Sequence, residues 1–440
     1  MKKVIIGIVL LASVLSSCRQ PNAPFDTERL DEYFEAISPR YMGSVAISIN
    51  GQTVYTHCSG MSDIDAGTPI TGHSRFMIGS ISKTFTSVMT FMAIDEGLLS
   101  LDDNLAKFYP EAGIMNADKI TINDLLYHKS GIHDIFEGTG DYLEWYTSPQ
   151  TRDRLIHRIA DAGADTIPGA VQQYCNSGYV LLSFILEDVF GCSYAELLNN
   201  KITGPLGLAE TSLSDGIDPE KGECRSYVYN NGWQPDAETD PSVPMGAGAV
   251  MSNPADLIRF GNALFNDQLG DSILSRMSRI DGSLGRGLFP FTYYGKSGLG
   301  HTGGIDGFQS AFCHFNDGDI TIAICSNGIN FNQNDILIAI LDAIHGKEYE
   351  IPDLKYISVD SAILESYTGD YFNETLNLGI SITTDGKSLT AQATRQSAFS
   401  LDATSDSVFE CTRAGVVISF KDGNLILNQS GQTFTFVKQE

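Results

Sequence analysis

A serine and a lysine lie three residues apart at the start of a predicted helix, in the segment Gly79-Ser80-Ile81-Ser82-Lys83. Residues i and i+3 share one face of a helix, so the Lys83 amine is expected beside the Ser80 hydroxyl. Serine is a weak nucleophile that needs a nearby proton acceptor, and desolvation lowers the pKa of a lysine enough to serve. Chance also produces this spacing, and a helix-capping serine with a surface lysine is the alternative. The helix is predicted to be amphipathic, burying Phe85, Val88, Met89, Phe91 and Met92.

A second motif, Tyr174-Cys175-Asn176, opens another apolar run. A tyrosine exchanges a proton with a serine or a leaving group when neighbouring cations lower its pKa from about 10. The Asn176 amide is suited to hold a substrate carbonyl or the lysine. The same Y-x-N pattern recurs at Tyr229 and Tyr371, so it is informative only together with the other motifs.

A third motif, His-Thr-Gly-Gly at residues 301–304, leads into a predicted strand. Successive glycines let a substrate approach the strand backbone. The N–H groups of Gly304 and Ser80 would then form an oxyanion hole. Lys296-Ser297-Gly298 is a rival for this position, but no comparable strand follows it directly. The order of the three motifs, rather than any one of them, favours nucleophilic catalysis by Ser80.

The predicted elements place these motifs in an α+β unit. Alternating apolar residues predict an N-terminal hairpin that turns at Asn50-Gly51 and strands over 308–315 and 320–325. We expect these strands to form one antiparallel sheet covered by helices over 26–37 and 334–344. Between them in the sequence lies a mostly helical second lobe, whose clearest helices are predicted over 80–96, 121–127, 177–189 and 255–265. Pockets form between such lobes, and the motifs are expected there.

The sequence pattern changes after His345. Residues 346–356 are polar and indicate a linker. From Tyr367 onward, short alternating runs are separated by turns at Asp385-Gly386, Asp422-Gly423 and Ser430-Gly431. Six to eight strands in about 80 residues predict a small antiparallel β barrel or sandwich over residues 357–440.

The three motifs together resemble the penicillin-recognising serine hydrolases of the class C β-lactamase-related family, which includes DD-peptidases and esterases. Further similar stretches lie at residues 76–85, 125–131, 205–208, 246–252 and 300–308, and the resemblance covers roughly residues 26–345. It implies a β-lactamase/transpeptidase-like fold, and a lipocalin-like fold for the C-terminal β domain.

The resemblance also implies roles for individual residues. Ser80 would be the acylated nucleophile, and Lys83 and Tyr174 would share proton transfer, with the choice of base left open. Asn176 would position the substrate. The strand edge that binds the substrate would consist of His301, Thr302 and Gly303, continued by Gly304.

One departure concerns charge. His301 lies where antibiotic-hydrolysing members of that family have a lysine. An imidazole has a reference pKa of about 6.5 and is largely neutral at pH 7. We therefore hypothesise an ester or amide substrate without an essential carboxylate.

A metal site is the alternative chemistry. His128, His133 and Asp134 are close in the sequence, but they lack the spacing of H-E-x-x-H, and His128 lies in a stretch that already resembles the hydrolases. None of the eight cysteines forms a C-x-x-C pair. We expect neither a metal nor a cofactor.

Charge limits the partners. The 440 residues include 54 acidic and 28 basic side chains, a net charge of −26, so no basic surplus exists to neutralise the phosphates of nucleic acid or to adsorb to anionic lipid. Membrane attachment would instead come from residues 1–18, in which two lysines precede an apolar run too short to span a bilayer. The run ends at Leu15-Ser16-Ser17-Cys18, which resembles a bacterial lipobox with Cys18 as the lipidated residue. An ordinary signal peptide is the alternative.

The sequence therefore predicts a signal peptide (1–18), a tether (19–25), a serine hydrolase domain (26–345), a linker (346–356) and a β domain (357–440). The expected function is hydrolysis of an ester or amide (peptide) bond through a Ser80 acyl-enzyme. D-amino-acid peptides or small esters are candidate substrates, and the expected location is the cell envelope, facing the periplasm or the cell exterior. A true β-lactamase and a non-catalytic binding lipoprotein on the same scaffold are the alternatives.

Overall fold

The computed structural model describes residues 24–137, 142–230, 232–394, 396, 398–429 and 431–439. The predicted signal peptide and Cys18 lie outside the described residues. Within the described ranges, no helix combines the length and the apolar character needed to cross a bilayer.

Runs of strands and runs of helices follow one another along the chain, as in an α+β protein. The helices are α1 (Thr27–Ile37), α2 (Ser82–Asp95), α3 (Ile122–Leu126), α4 (Tyr142–Tyr146), α5 (Arg152–Ala162), α6 (Asn176–Phe190), α7 (Tyr194–Leu198), α8 (Gly204–Leu206), α9 (Pro254–Phe265), α10 (Ile273–Met277), α11 (Gln333–Ile344) and α12 (Ser361–Tyr367). The strands before the linker are β1 (Tyr41–Ile49), β2 (Gln52–Ser59), β3 (Met61–Asp63), β4 (Thr68–Pro69), β5 (Phe76–Met77), β6 (Ser212–Leu213), β7 (Tyr227–Tyr229), β8 (Trp233–Pro235), β9 (Val250–Ser252), β10 (Phe289–Tyr293), β11 (Lys296–Ile305), β12 (Phe308–Phe315) and β13 (Ile320–Ile329).

One six-stranded antiparallel sheet joins the two ends of this unit, in the order β10-β11-β12-β13-β1-β2. The pairing of β1 with β13, from Tyr41↔Ile329 to Ile49↔Ile320, confirms the predicted meeting of N-terminal and C-terminal strands. Alternate residues of a strand face opposite sides of a sheet. Accordingly, Val45 and Ile47 pack with α1 and α11, whereas Ala46 packs with the helical lobe. Both faces of the sheet are therefore covered.

Helix α2 lies between the sheet and the helical lobe, and here the expectation of an amphipathic helix is wrong. Every residue from Ser82 to Phe91 is buried. The helix tolerates this because its buried polar residues other than Lys83 are small hydroxyls that hydrogen-bond inside the protein, and the Lys83 amine also has acceptors there. For example, Thr84 donates to the Gly287 carbonyl at 2.8 Å, and Thr86 donates to the Gly246 carbonyl at 2.7 Å. Burial on every side fixes the helix that carries the predicted motif.

The C-terminal part is a closed barrel of eight antiparallel strands that follow one another in sequence order, as an up-and-down barrel requires. The strands are β14 (Gly369–Asn373), β15 (Leu378–Thr384), β16 (Leu389–Ala393), β17 (Phe399–Ser405), β18 (Val408–Cys411), β19 (Val416–Lys421), β20 (Asn424–Gln429) and β21 (Gln432–Lys438). Its interior is filled by apolar side chains such as Leu389, Phe409 and Phe436. The predicted barrel is thus present.

The buried guanidinium of Arg40 is one of the links between the barrel and the larger unit. Arg40, just before β1, donates to the Asp402 carboxylate of β17 at 2.7 Å. The rings of Tyr229 in β7 and Tyr356 in the linker lie 3.8 and 4.8 Å from its central carbon. Four separate chain segments therefore meet at Arg40.

Candidate active site

Ser80 lies in a 3₁₀ turn, Gly79–Ile81, that runs directly into α2. The expected helix start at Ser80 is thus replaced by a tighter turn, in which Gly79 has a positive φ of 50° that L side chains rarely adopt. The i, i+3 relationship survives, and Lys83 Nζ lies 2.9 Å from Ser80 Oγ. The predicted nucleophile and its amine are therefore in hydrogen-bonding contact.

The Lys83 amine is fully buried and has three acceptors around it. Besides Ser80 Oγ, Nζ donates to Asn176 Oδ1 at 2.7 Å and to the Ala247 carbonyl at 2.7 Å. Burial lowers the pKa of Lys83 to about 7, with the charge of Asp134 acting in the opposite direction. A neutral amine still supplies two hydrogens to the two carbonyl-type acceptors, which leaves its lone pair for the hydroxyl of Ser80.

Tyr174 precedes α6, and its ring lies 4.9 Å from Lys83 Nζ. Burial raises the pKa of Tyr174 well above its ordinary value, and a hydrogen bond with Ser80 only partly opposes that shift. The phenol therefore keeps its proton near neutral pH, contrary to the expectation that neighbouring cations lower its pKa. The phenol is positioned to give a proton, and Lys83 is positioned to take one.

Asn176 is the first residue of α6, and its side chain is engaged at both ends. The oxygen accepts from Lys83, and the amide Nδ2 donates to Asp134 Oδ2 at 2.7 Å. Of the two roles considered for this amide, holding the lysine matches these contacts.

The third motif lies on β11, whose two halves have different neighbours. The first half pairs with β10 from Tyr293↔Lys296 to Phe289↔Gly300, and that pairing ends before residue 301. Residues 301–305 remain paired with β12 on their other side. In this half of the strand, Thr302 and Gly304 are exposed, whereas His301 is buried. This half of β11 offers a backbone edge for an extended ligand.

The His301 imidazole is buried, and its ring lies 6.5 Å from that of Tyr174. Its Nδ1 donates to the Thr302 carbonyl at 2.5 Å, and its ring lies 4.0 Å from that of Phe289. Burial, assisted by the charge of Lys83, lowers the pKa of His301 to about 3. The imidazole is therefore neutral across the physiological range.

Glycines in β11 and in the serine turn allow the two segments to approach closely. A Cβ placed on Gly303 would lie 2.0 Å from the Ile78 carbonyl oxygen, so a side chain there is excluded. A Cβ on Gly304 would meet no protein atom within 4 Å, so this position faces open space. On the opposite side, a Cβ on Gly79 would lie 2.8 Å from the Gly304 nitrogen. The Gly304 N–H is thus held next to the Ser80 turn.

Three neighbours of the site lie outside the three sequence motifs: Ala247, Asp134 and His128. The Ala247 carbonyl is a backbone group, so no side-chain pattern reveals it, although residues 246–252 carried part of the resemblance. Asp134 was considered only as a metal ligand. His128 packs at 4.3 Å against Tyr174, and its Nδ1 accepts from the Cys175 N–H at 3.0 Å.

The structure separates the rival assignments from the site. Lys296 begins β11 at the end remote from residues 301–304, and it pairs with Asp317 in the β12–β13 turn. His133 binds Asp165 at 2.9 Å instead of joining His128. No group of three or more histidines, cysteines or acids suited to a metal occurs among the residues that the structure describes.

Comparisons with known proteins extend over both units. Residues 31–347 match the family model described as beta-lactamase. The chain is 25% identical over 435 residues to penicillin-binding protein 4* of Bacillus subtilis (strain 168), which covers 90% of this chain and 94% of that relative. It is 28% identical over 204 residues to teichoic acid D-alanine hydrolase of Staphylococcus aureus, which covers 46% and 48% of the two chains. The solved structure of D-stereospecific amidohydrolase from Streptomyces sp. has a TM-score of 0.64 at 26% identity, and the match covers 74% of this chain and 100% of that chain.

Proposed function

The chain belongs to the beta-lactamase family, and on that premise we propose that Ser80 is the nucleophile of this serine hydrolase, with Lys83 as its general base. The enzyme acts on ester or amide bonds. The observation that carries the assignment is the 2.9 Å contact between Ser80 Oγ and the fully buried Nζ of Lys83. The other two acceptors of this amine, Asn176 Oδ1 and the Ala247 carbonyl, each take one of its hydrogens.

The acylation step follows from these contacts. Neutral Lys83 takes the hydroxyl proton as Ser80 Oγ attacks the carbonyl carbon, and the carbonyl oxygen becomes an oxyanion. The N–H groups of Ser80 and Gly304 donate to that oxyanion. The C–O or C–N bond then breaks, and the departing oxygen or nitrogen receives a proton from Tyr174, which regains one from Lys83. The product is an ester of Ser80 with the acyl group.

Deacylation repeats the sequence with water. Neutral Lys83 takes a proton from water as the water oxygen attacks the ester carbonyl. The bond to Ser80 Oγ breaks, and the serine oxygen recovers a proton either from Lys83 directly or from Tyr174, which then regains one from Lys83. The released product is a carboxylic acid, and the enzyme returns to its starting state.

The proposed substrates are amides or esters of D-amino acids. Names of relatives support this class: one hydrolyses D-alanine from teichoic acid, and a solved neighbour is a D-stereospecific amidohydrolase. A neutral His301 adds no fixed positive charge beside the strand edge, which favours substrates whose carboxylate is masked as an amide or ester. The same lack of positive charge at His301 disfavours penicillin, which carries a carboxylate, as the preferred substrate.

Labelling tests the assignment directly. The protein is incubated with a fluorophosphonate and with a fluorescent penicillin, and the modified peptide is mapped by mass spectrometry. We expect phosphonate on the Ser80 peptide, loss of that label in Ser80→Ala, and faster hydrolysis of D-alanyl than of L-alanyl p-nitroanilide. Rapid turnover of penicillin would instead identify a β-lactamase. A folded wild-type protein that acquires no label would identify a binding lipoprotein.

We also propose that the protein acts at the cell envelope, held there by lipid on Cys18. The names of the penicillin-binding and teichoic acid relatives support the location, and the lipobox-like segment supports the anchor. Metabolic labelling with a clickable palmitate should mark the wild-type protein and not Cys18→Ala. Equal labelling of both would contradict the anchor.

A further inference from the structure

Asp134 is a buried carboxylate on the far side of Asn176 from the lysine. Its Oδ2 accepts from the Asn176 side-chain nitrogen at 2.7 Å and from the Asn176 backbone N–H at 2.9 Å. Its Oδ1 accepts from the Phe136 N–H at 3.3 Å and from Ser177 Oγ at 3.4 Å. The contacts form a chain, Asp134–Asn176–Lys83–Ser80, that ends at the nucleophile.

We propose that Asp134 is a positioning residue of this active site: its carboxylate fixes the Asn176 carboxamide with the oxygen towards Lys83 and supplies a counter-charge to the buried amine. This inference rests on the proposed function, since it concerns the same Ser80 chemistry. It assigns to Asp134 a part in the reaction that none of the three motifs contains.

The donors and acceptors around Asn176 decide which way its carboxamide points. A carboxamide has an oxygen at one corner and an NH₂ at the other, and a half-turn would present the NH₂ to Lys83, donor against donor. A carboxylate has acceptors only, so Asp134 holds the NH₂ on its own side. The oxygen is then left for Lys83 and fixes one of its hydrogens, which helps to point the lone pair of the neutral amine at Ser80.

The titratable groups around Lys83 determine how strongly its proton is held. The aromatic rings of Tyr174 and Tyr179 lie against Nζ, and the pKa values of both phenols are raised by burial, so neither is an anion near neutral pH. Burial also raises the pKa of Cys175 to about 12, which keeps its thiol neutral. The imidazoles of His128 and His301 are neutral because burial lowers their pKa values. Asp134 is the strongest influence that raises the pKa of Lys83.

A purely structural role makes a different prediction. The Asn176 N–H belongs to the first turn of α6, so Asp134 also caps that helix, and a carboxylate is favourable there. If capping were its whole contribution, replacement would lower stability and the amount of folded enzyme but would leave the pH dependence of acylation in place.

The experiment measures the rate of Ser80 acylation by a fluorophosphonate from pH 4.5 to 9.5 in the full chain, with folding checked by thermal unfolding. Asp134→Asn keeps an oxygen for the Asn176 donors and removes the charge. We expect the acid limb of its profile to move to lower pH by roughly one unit, because a lysine without its counter-charge loses its proton more easily. Asp134→Ala, which also releases the carboxamide, should show the same displacement and a roughly tenfold or larger loss of the plateau rate.

Ser177→Ala is the matched control, since it removes a hydrogen bond to the same carboxylate and keeps the charge. Its acid limb should stay where the wild-type limb is. Folded Asp134→Asn and Asp134→Ala proteins with wild-type acid limbs would overturn the proposal. A wild-type protein that is not acylated at Ser80 would be recognised separately, as failure of the proposed function on which the inference rests.

Discussion

The backbones of Gly79 and Gly304 lie so close together that a Cβ on Gly79 would be only 2.8 Å from the Gly304 nitrogen. Two segments more than 200 residues apart are thereby brought together at the proposed oxyanion hole. The contact requires a glycine at position 79, whose φ is also positive. The neighbouring glycines of β11 differ in what surrounds them, which allows a matched pair of substitutions.

Gly304→Ala should fold normally and bind substrate poorly. A methyl group at position 304 meets no protein atom, but it would project into the space proposed for the substrate. We expect thermal unfolding close to wild type and a loss of tenfold or more in kcat/KM, since a carbonyl displaced from its donors loses transition-state stabilisation.

Gly303→Ala is the counterpart with the same added methyl group. Here the Cβ would collide with the Ile78 carbonyl and with Ser310 Oγ, so the strand must shift and stability should fall by about 1–3 kcal/mol. The measurement is thermal or urea unfolding of both variants. Wild-type activity in Gly304→Ala would contradict the proposal that the substrate binds next to Gly304.

The Lys83 amine should set the acid limb of activity. Because burial lowers its pKa to about 7, the base form disappears below that pH, and kcat/KM should fall about tenfold for each further pH unit. The rate should reach a plateau above pH 8. A pH profile of kcat/KM on a neutral ester substrate measures this.

Lys83→Arg is the informative companion, because a guanidinium keeps the positive charge and cannot give up its proton in this range. We expect a loss of at least about a hundredfold in kcat/KM at every pH. Substantial activity in Lys83→Arg would mean that another group takes the serine proton.

Tyr174→Phe should discriminate between leaving groups. An amine leaving group needs a proton, whereas p-nitrophenolate leaves without one, so loss of the phenol should cost amides about 10²–10⁴-fold and p-nitrophenyl esters much less. The ratio of the two kcat/KM values, measured in the same preparation, is the readout. An equal loss for both substrates would assign Tyr174 to an earlier step than leaving-group departure.

His301→Lys tests the charge at the strand edge. A lysine there would add a cation for a substrate carboxylate, so kcat/KM for a carboxylate-bearing D-peptide should rise relative to its carboxamide analogue. The absolute rate should drop. A cation at position 301 would disfavour the protonated Lys83 that forms when Lys83 takes the serine proton. No relative gain for the carboxylate would count against a role of this position in substrate charge selection.

The motif order and the strand alternation were sufficient to predict the sheet, the helical lobe, the barrel and the meeting of Ser80, Lys83 and Tyr174. Local chemistry at α2 was harder to predict. Its serines and threonines were expected on an exposed face, yet they are buried, and each has a hydrogen-bond partner within the fold. The periodicity of a helix shows which side chains are polar. It does not show whether other parts of the fold will offer those side chains buried hydrogen-bond partners.

The base at the site is a second example. The sequence left Lys83 and Tyr174 as equal candidates, because a pKa depends on burial and on contacts from remote segments. Ala247 and Asp134 come from two such segments, and neither belongs to the three motifs. The direction of the Tyr174 shift was mistaken for the same reason, since desolvation of the phenol outweighs its favourable hydrogen bond.

Arg40 determines what happens if the molecule is shortened. Its guanidinium is enclosed by Tyr229, Tyr356 and Asp402, so two of its three partners disappear when the chain stops at residue 345. The remaining fragment would keep every proposed catalytic side chain and yet present an uncompensated charge at a freshly uncovered surface. A fragment that ends at residue 345 should therefore carry a neutral polar side chain in place of Arg40, because Tyr356 and Asp402 are absent from it.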